Sequence, residues 1–263
     1  MNPDRSPISV CFGGGGAFAY GFDMGVVAGL REEGIDVTAA PMIGTSAGSH
    51  AVATLAAGLS FEQVATMWSD YVSGTRRKFW VRASELTEPV YGGLESTEVD
   101  SAAAVALRLL TLRRVLLDSG SYRLADMVAA SSSPAPLVRP HKIGRRRFVD
   151  GGLRRVASAD LAPPADVQLL IAPFSHRGQG MLGKVGARQA RKETRAWQSA
   201  TGGSVLLIGP SPEMVEIELK GVAAIGDMSI GRRVHALAIP VGRAAAEQLR
   251  EEHPAVLDRF LAR

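Results

Sequence analysis

Two tight strand-to-helix turns in the first fifty residues constrain this chain more than any other feature. The first begins with Ile8-Ser9-Val10-Cys11-Phe12, a short run containing β-branched residues that ends in Gly13-Gly14-Gly15-Gly16. A helix is predicted to follow over Phe18 to Glu33, because Phe22, Val26, Val27 and Leu30 recur at helical spacing and Gly34 stands where a C-terminal cap belongs. The second begins with Pro41-Met42-Ile43, passes through Gly44-Thr45-Ser46-Ala47-Gly48, and leads into an Ala-rich helix to about Ala57. Ser60 then caps a further helix carrying Phe61, Val64, Ala65, Met67, Trp68 and Tyr71. Strands alternating with helices in this way predict a layered α/β fold.

Further along, residues 102–117 form a continuous apolar run that suits either one helix or a two-strand hairpin, and the hairpin is preferred. A short helix over Arg123 to Ser131 and a strand over Arg145 to Val149, after a Lys142-Ile143-Gly144 turn, come next. Val167 to Ala172 and Val205 to Ile208 read as buried strands, and Arg243 to Leu261 as helix broken near Pro254. Gly178 to Gly186 carries four glycines around Met181, Leu182 and Val185, which predicts a mobile loop that gates a site. With neither an internal repeat nor a long linker, residues 1–263 read as a single domain. Its expected architecture is three layers, a largely parallel central sheet flanked by helices.

Composition narrows the class of function. Hydrophobic residues at 46% and charged residues at 21% exclude a chain disordered throughout. The single Cys11 forms no internal disulfide, and the first ten residues lack the basic and apolar regions of a secretion signal, so the expected location is cytoplasmic. No apolar run approaches the ~20 residues that cross a bilayer, which leaves peripheral membrane contact open. The net charge of +4 is too small and too dispersed to predict nucleic-acid binding. Locally, Arg76-Arg77-Lys78, Arg113-Arg114, Arg145-Arg146-Arg147 and Arg154-Arg155 are either solvated faces or contacts for anionic headgroups and phosphates.

Three motifs carry chemistry. Gly44-Thr45-Ser46-Ala47-Gly48 fits G-x-S-x-G between a strand and a helix, the setting of a nucleophile elbow. Small flanking residues are required there because the serine sits on a sharp turn, its Oγ exposed at a helix N-terminus that favours developing negative charge. Without a catalytic partner the same turn is no more than an N-cap. Gly14, Gly15 and Gly16, at the end of the neighbouring strand, offer backbone N–H groups for an oxyanion hole. Gly14, Gly16 and Ala19 also satisfy the dinucleotide fingerprint G-x-G-x-x-A, but Asp36 precedes the second strand instead of ending it. No Gly-Lys-Ser/Thr follows, so a P-loop is excluded. Asp150, in Phe148-Val149-Asp150-Gly151-Gly152, is a carboxylate at a strand end, suited either to a tight turn or to accepting the serine proton from an adjacent strand.

Glycine loop, G-x-S-x-G and D-G-G, in that order, resemble the patatin-like phospholipase family of lipid acyl hydrolases. The likeness extends to Met127-Val128-Ala129-Ala130-Ser131-Ser132-Ser133-Pro134 leading into Gly144-Arg145-Arg146-Arg147-Phe148-Val149-Asp150-Gly151-Gly152, similar to the family's Ala/Ser-rich helix and its G-R-x-x-x-D-G-G stretch. The resemblance implies Ser46 as nucleophile, Asp150 as base, Gly14, Gly15 and Gly16 as the oxyanion hole, and Gly44 and Gly48 as the flanks of the elbow. It implies an acyl-ester substrate, phospholipid, lysophospholipid or acylglycerol, with neither metal nor organic cofactor. Where family members carry Arg or Lys shortly after the third glycine, this chain has the uncharged Ala17-Phe18-Ala19-Tyr20. Two rivals remain. One is an α/β-hydrolase with Ser46, Asp150 and His176 or His235, although only one strand precedes the strand leading to the elbow. The other is a non-catalytic nucleotide- or lipid-binding module using the glycine loop as an anion nest.

Overall fold

The computed structural model describes residues 5–75, 81–94, 102–217, 219 and 222–262. The cluster Arg76-Arg77-Lys78 lies outside them. In chain order the elements begin with β1 (Ser6–Phe12), α1 (Gly16–Glu32), β2 (Met42–Thr45), α2 (Ala47–Ala56) and α3 (Phe61–Thr75). Then come β3 (Val81–Arg82), α4 (Ala83–Tyr91), the hairpin β4 (Ala102–Arg108) and β5 (Arg114–Asp118), and α5 (Leu124–Ser131). Short strands β6 (Val138–Arg139) and β7 (His141–Ile143) precede β8 (Arg146–Asp150) and β9 (Ala165–Ile171). The chain continues with α6 (Gly180–Thr201), β10 (Ser204–Ile208), α7 (Pro212–Val215), α8 (Met228–Glu252) and α9 (Pro254–Leu261).

The main sheet runs β10-β9-β1-β2-β4-β8-β7, with β5 also paired to β4. Its centre is parallel, as predicted, and turns antiparallel where β8 joins β4. Being covered on both faces, β1 buries Ile8, Val10 and Phe12 in the larger core and Cys11 in a smaller one with Ile43, Val105 and Trp197. The period-2 alternation of a strand divides the two cores.

On the larger side α1 lies against α8 at backbone distance. A Cβ at Gly21, Gly25 or Gly29 would collide with the carbonyls of Gly231, His235 and Ile239 respectively, so one glycine per helical turn sets the approach. This packing anchors α1, whose N-terminus carries the glycine loop.

Two sequence expectations are corrected. Gly178 to Gly186 is not an open loop, since α6 begins at Gly180. Its glycines serve close packing: a Cβ at Gly183 or Gly186 would collide with the carbonyl of His176 or Phe174. The C-terminal helix also starts earlier than Arg243, at Met228, with Asp227 accepting from the Ser229 N–H at 2.9 Å and Pro240 held within the helix. Its break falls at His253, before Pro254, as predicted.

Candidate active site

Ser46 leaves β2 with φ 54 and ψ −119, a backbone conformation seldom adopted by a residue with a Cβ, and caps α2. Both glycines of the motif are sterically required. A Cβ at Gly44 would strike the Gly48 carbonyl, and one at Gly48 would strike the Phe12 carbonyl at the end of β1. The elbow thus folds tightly onto the neighbouring strand. A Cβ on Gly14 would stand 2.9 Å from Ser46 Cβ, so the glycine loop abuts the serine directly.

Asp150 reaches the same point from β8. Contrary to the expectation of an adjacent strand, β8 is separated from β2 by β4. Two ladders align the residues: Thr45 pairs with Val105, and Ala106 pairs with Asp150. Gly151 carries the chain over β4, so closely that a Cβ there would collide with the Val105 carbonyl. The result is a hydrogen bond from Ser46 Oγ to Asp150 Oδ2 at 2.7 Å.

The carboxylate's other oxygen accepts from the Gly152 N–H at 2.7 Å. Burial pushes the Asp150 pKa up to about 6, against the opposing effect of its bonds from Ser46 and Gly152. Such a group is mostly ionised at neutral pH yet far more basic than a free carboxylate.

Of the three loop glycines, Gly14 differs from expectation. Its N–H donates to the Val156 carbonyl at 2.8 Å and is already satisfied. Gly15 and Gly16, at positive φ where α1 begins, carry no N–H bond to another described residue. Gly15 lies beneath the Phe174 ring, which packs on Phe18 with ring centroids 5.3 Å apart. Phe18, in the uncharged stretch after the glycines, is therefore a packing residue.

Sequence reasoning assigned no role to the serines ending α5, yet they brace the elbow. Ser131 Oγ accepts from the Ser46 N–H at 2.9 Å and donates to the Val105 carbonyl at 2.8 Å. Ser132 Oγ donates to the Ser46 carbonyl at 3.1 Å, and the Ser133 carbonyl accepts from the Asp150 N–H at 3.0 Å. Three successive hydroxyls at the end of an Ala-rich helix were the available signal.

None of the five histidines hydrogen-bonds Ser46 or Asp150. His50, one turn along α2, is buried against Trp68 and Tyr91, and burial lowers its pKa to about 3. His176 Nδ1 accepts from the Gly178 N–H, His235 stacks on Phe61, His141 bonds Asp126, and His253 joins α8 to α9. Among the described residues no group of His, Cys, Asp or Glu side chains is placed to hold a metal ion.

The patatin-like phospholipase family model matches residues 10–163, more than half of the chain, and the match runs from the glycine loop through both Ser46 and Asp150. The chain belongs to the patatin-like phospholipase family. Its structure is also similar to that of VipD from Legionella pneumophila, with a TM-score of 0.47, 12% identity, and 95% of this chain and 67% of that one covered. No curated protein matches it. For this patatin-like chain, no helix among the described residues is long and apolar enough to cross a membrane.

Proposed function

We propose that this patatin-like protein is a serine lipid acyl hydrolase that cleaves carboxylic esters of phospholipids, lysophospholipids or acylglycerols through a Ser46–Asp150 dyad. The observation that carries the reading is the 2.7 Å hydrogen bond from Ser46 Oγ to a buried carboxylate whose pKa is raised to about 6. Ser46 Oγ attacks the ester carbonyl and its proton passes to Asp150 Oδ2. The Gly15 and Gly16 N–H groups receive the oxyanion, and the leaving alkoxide departs with the proton from Asp150. Water then attacks the acyl-Ser46, giving up a proton to the same carboxylate, and Ser46 is restored as the fatty acid leaves.

The rim supports a lipid substrate. Leu153, the residue after Asp150-Gly151-Gly152, and Ile225, which lies against Gly16 of the glycine loop, both expose apolar side chains. Their placement fits peripheral contact with a lipid surface. A fluorophosphonate that labels Ser46, combined with turnover of an ester panel varied in chain length and headgroup, tests the reading. A folded protein that neither labels nor hydrolyses any ester overturns it and favours a binding module.

A further inference from the structure

At the far edge of the sheet from β10, a concavity of about 680 Å³ is lined by Arg82, Ser84, Arg139, His141, Lys142 and Arg147, with Pro140. The four unambiguous cations are arranged as two register pairs. Arg82 is the direct partner of Arg139 in the two-stranded β3–β6 sheet, and Lys142 is the direct partner of Arg147 between β7 and β8. Like charges directly opposite one another on neighbouring strands repel. All four are exposed, and among the described residues none makes an ion pair or side-chain hydrogen bond. Among the described residues, nearby acids do not relieve them. Asp126 is engaged by His141 at 2.9 Å and by Arg123, and Glu85, in the first turn of α4, does not line the concavity.

Helix α4 adds a further positive element. It starts at this concavity, with Arg82 as N-cap and Ser84 in its first turn, and the Arg82 side chain makes no capping hydrogen bond to its leading N–H groups. A helix N-terminus is favourable to phosphate. Arg139 and Arg147 present planar forks suited to phosphate oxygens, with Lys142 as a point charge.

We propose that this concavity binds a ligand carrying two or more phosphate groups, which neutralises the Arg82–Arg139 and Lys142–Arg147 pairs together. The site is separate from the Ser46 centre and stands or falls independently of the hydrolase reading. Its ligand is either a phosphorylated lipid headgroup or a free organic polyphosphate, and the same four cations serve both.

The experiment uses the full chain, with inositol trisphosphate as the soluble probe and phosphatidylcholine vesicles containing phosphatidylinositol bisphosphate as the lipid probe. Saturable binding of the soluble probe without vesicle recruitment assigns a free polyphosphate, and vesicle recruitment assigns a headgroup. The double variants Arg82→Gln/Arg139→Gln and Lys142→Gln/Arg147→Gln should each lose at least tenfold in affinity. Their ligand-free melting temperature should be unchanged or higher, since repulsion is relieved. Arg188→Gln/Arg195→Gln, on the basic face of α6, should bind as the unaltered chain does. In the unaltered chain, acetylation of Lys142 should be slowed by the bound probe while that of Lys184 and Lys192 is not. Absence of binding by either probe, equal loss in the α6 variant, or unprotected Lys142 overturns the proposal.

Discussion

Replacing Asp150 by Asn should make the protein more stable, and more so as pH rises. The carboxyl is 4% exposed and its pKa is raised from 3.8 to about 6, chiefly by desolvation. Between those two values the folded chain binds more protons than the unfolded one, so stability falls as pH increases. Two units of displacement correspond to roughly 3 kcal/mol once the pH is well above 6. Asn has no charge to bury and escapes this cost. The stability difference between variant and unaltered chain should therefore grow by about 2–3 kcal/mol from pH 4 to pH 7, with about half of the change complete near pH 5. Exchanging the carboxylate for an amide also alters the bonds to Ser46 and Gly152, but that offset does not vary with pH. Asp23, another buried carboxyl whose pKa burial raises, contributes equally to both proteins and cancels. Urea denaturation at a series of pH values measures the difference directly and needs no substrate. A difference that stays flat from pH 4 to pH 8, or that shrinks as pH rises, would refute the reasoning. Hydrolysis by the unaltered chain should correspondingly rise with a midpoint near pH 6 and be absent from the Asn variant at every pH.

Ser46→Ala should abolish fluorophosphonate labelling and ester turnover with little change in melting temperature, and retained turnover would remove the nucleophile assignment. Gly15→Ala forces a Cβ onto the Phe174 ring at φ 140, so turnover measured on the folded fraction should drop by about a hundredfold or more as the donor geometry is lost. Ser131→Ala leaves the Ser46 N–H without its partner and should cost about 1–3 kcal/mol of stability, read by denaturation, together with a fall in acylation rate. Single Gln substitutions at His50, His141, His176, His235 and His253 should leave burst-phase acylation within about an order of magnitude, where loss of a triad histidine costs several orders. One folded but inactive histidine variant would replace the dyad by a triad.

The parts of the site legible in the sequence are those where local sterics admit one residue type. Gly44 and Gly48 have no room for a Cβ, and the same holds for Gly151 above β4, so elbow and carboxylate turn announce themselves as glycine patterns. The run of serines after an Ala-rich helix is visible in the sequence but its role is not, because the Ser131 and Ser132 hydroxyls have many possible partners from which only tertiary placement selects the elbow, and Ser133 acts through a backbone carbonyl that any residue supplies. Glycine misled at α6 for a related reason. Gly183 and Gly186 admit the carbonyls of His176 and Phe174 to a helix surface, and in sequence a glycine needed for close approach looks the same as one needed for freedom. The helix around Pro240 was missed because propensity alone argues against continuing through proline, whereas packing of α8 against the α1 glycines overrides it.

The placement of Asp150 depends on register more than on strand adjacency. Strand β4 continues past the level at which β2 ends, and β8 runs antiparallel along that extension until Asp150 faces Ala106, one step beyond the Thr45–Val105 pair. Ser46 is likewise one step beyond that pair, so nucleophile and carboxylate emerge at the same height on either side of β4. Sliding β8 by one residue would turn Asp150 to the opposite face and set Val149 or Gly151 in its place. Packing of Phe148 into the larger core and of Gly151 over the Val105 carbonyl opposes that slip. The same burial that fixes the register also raises the carboxyl's proton affinity, while it removes nearly all basicity from the more deeply enclosed His50. At neutral pH the aspartate is thus the stronger proton acceptor of the two, and it is the one hydrogen-bonded to Ser46 Oγ.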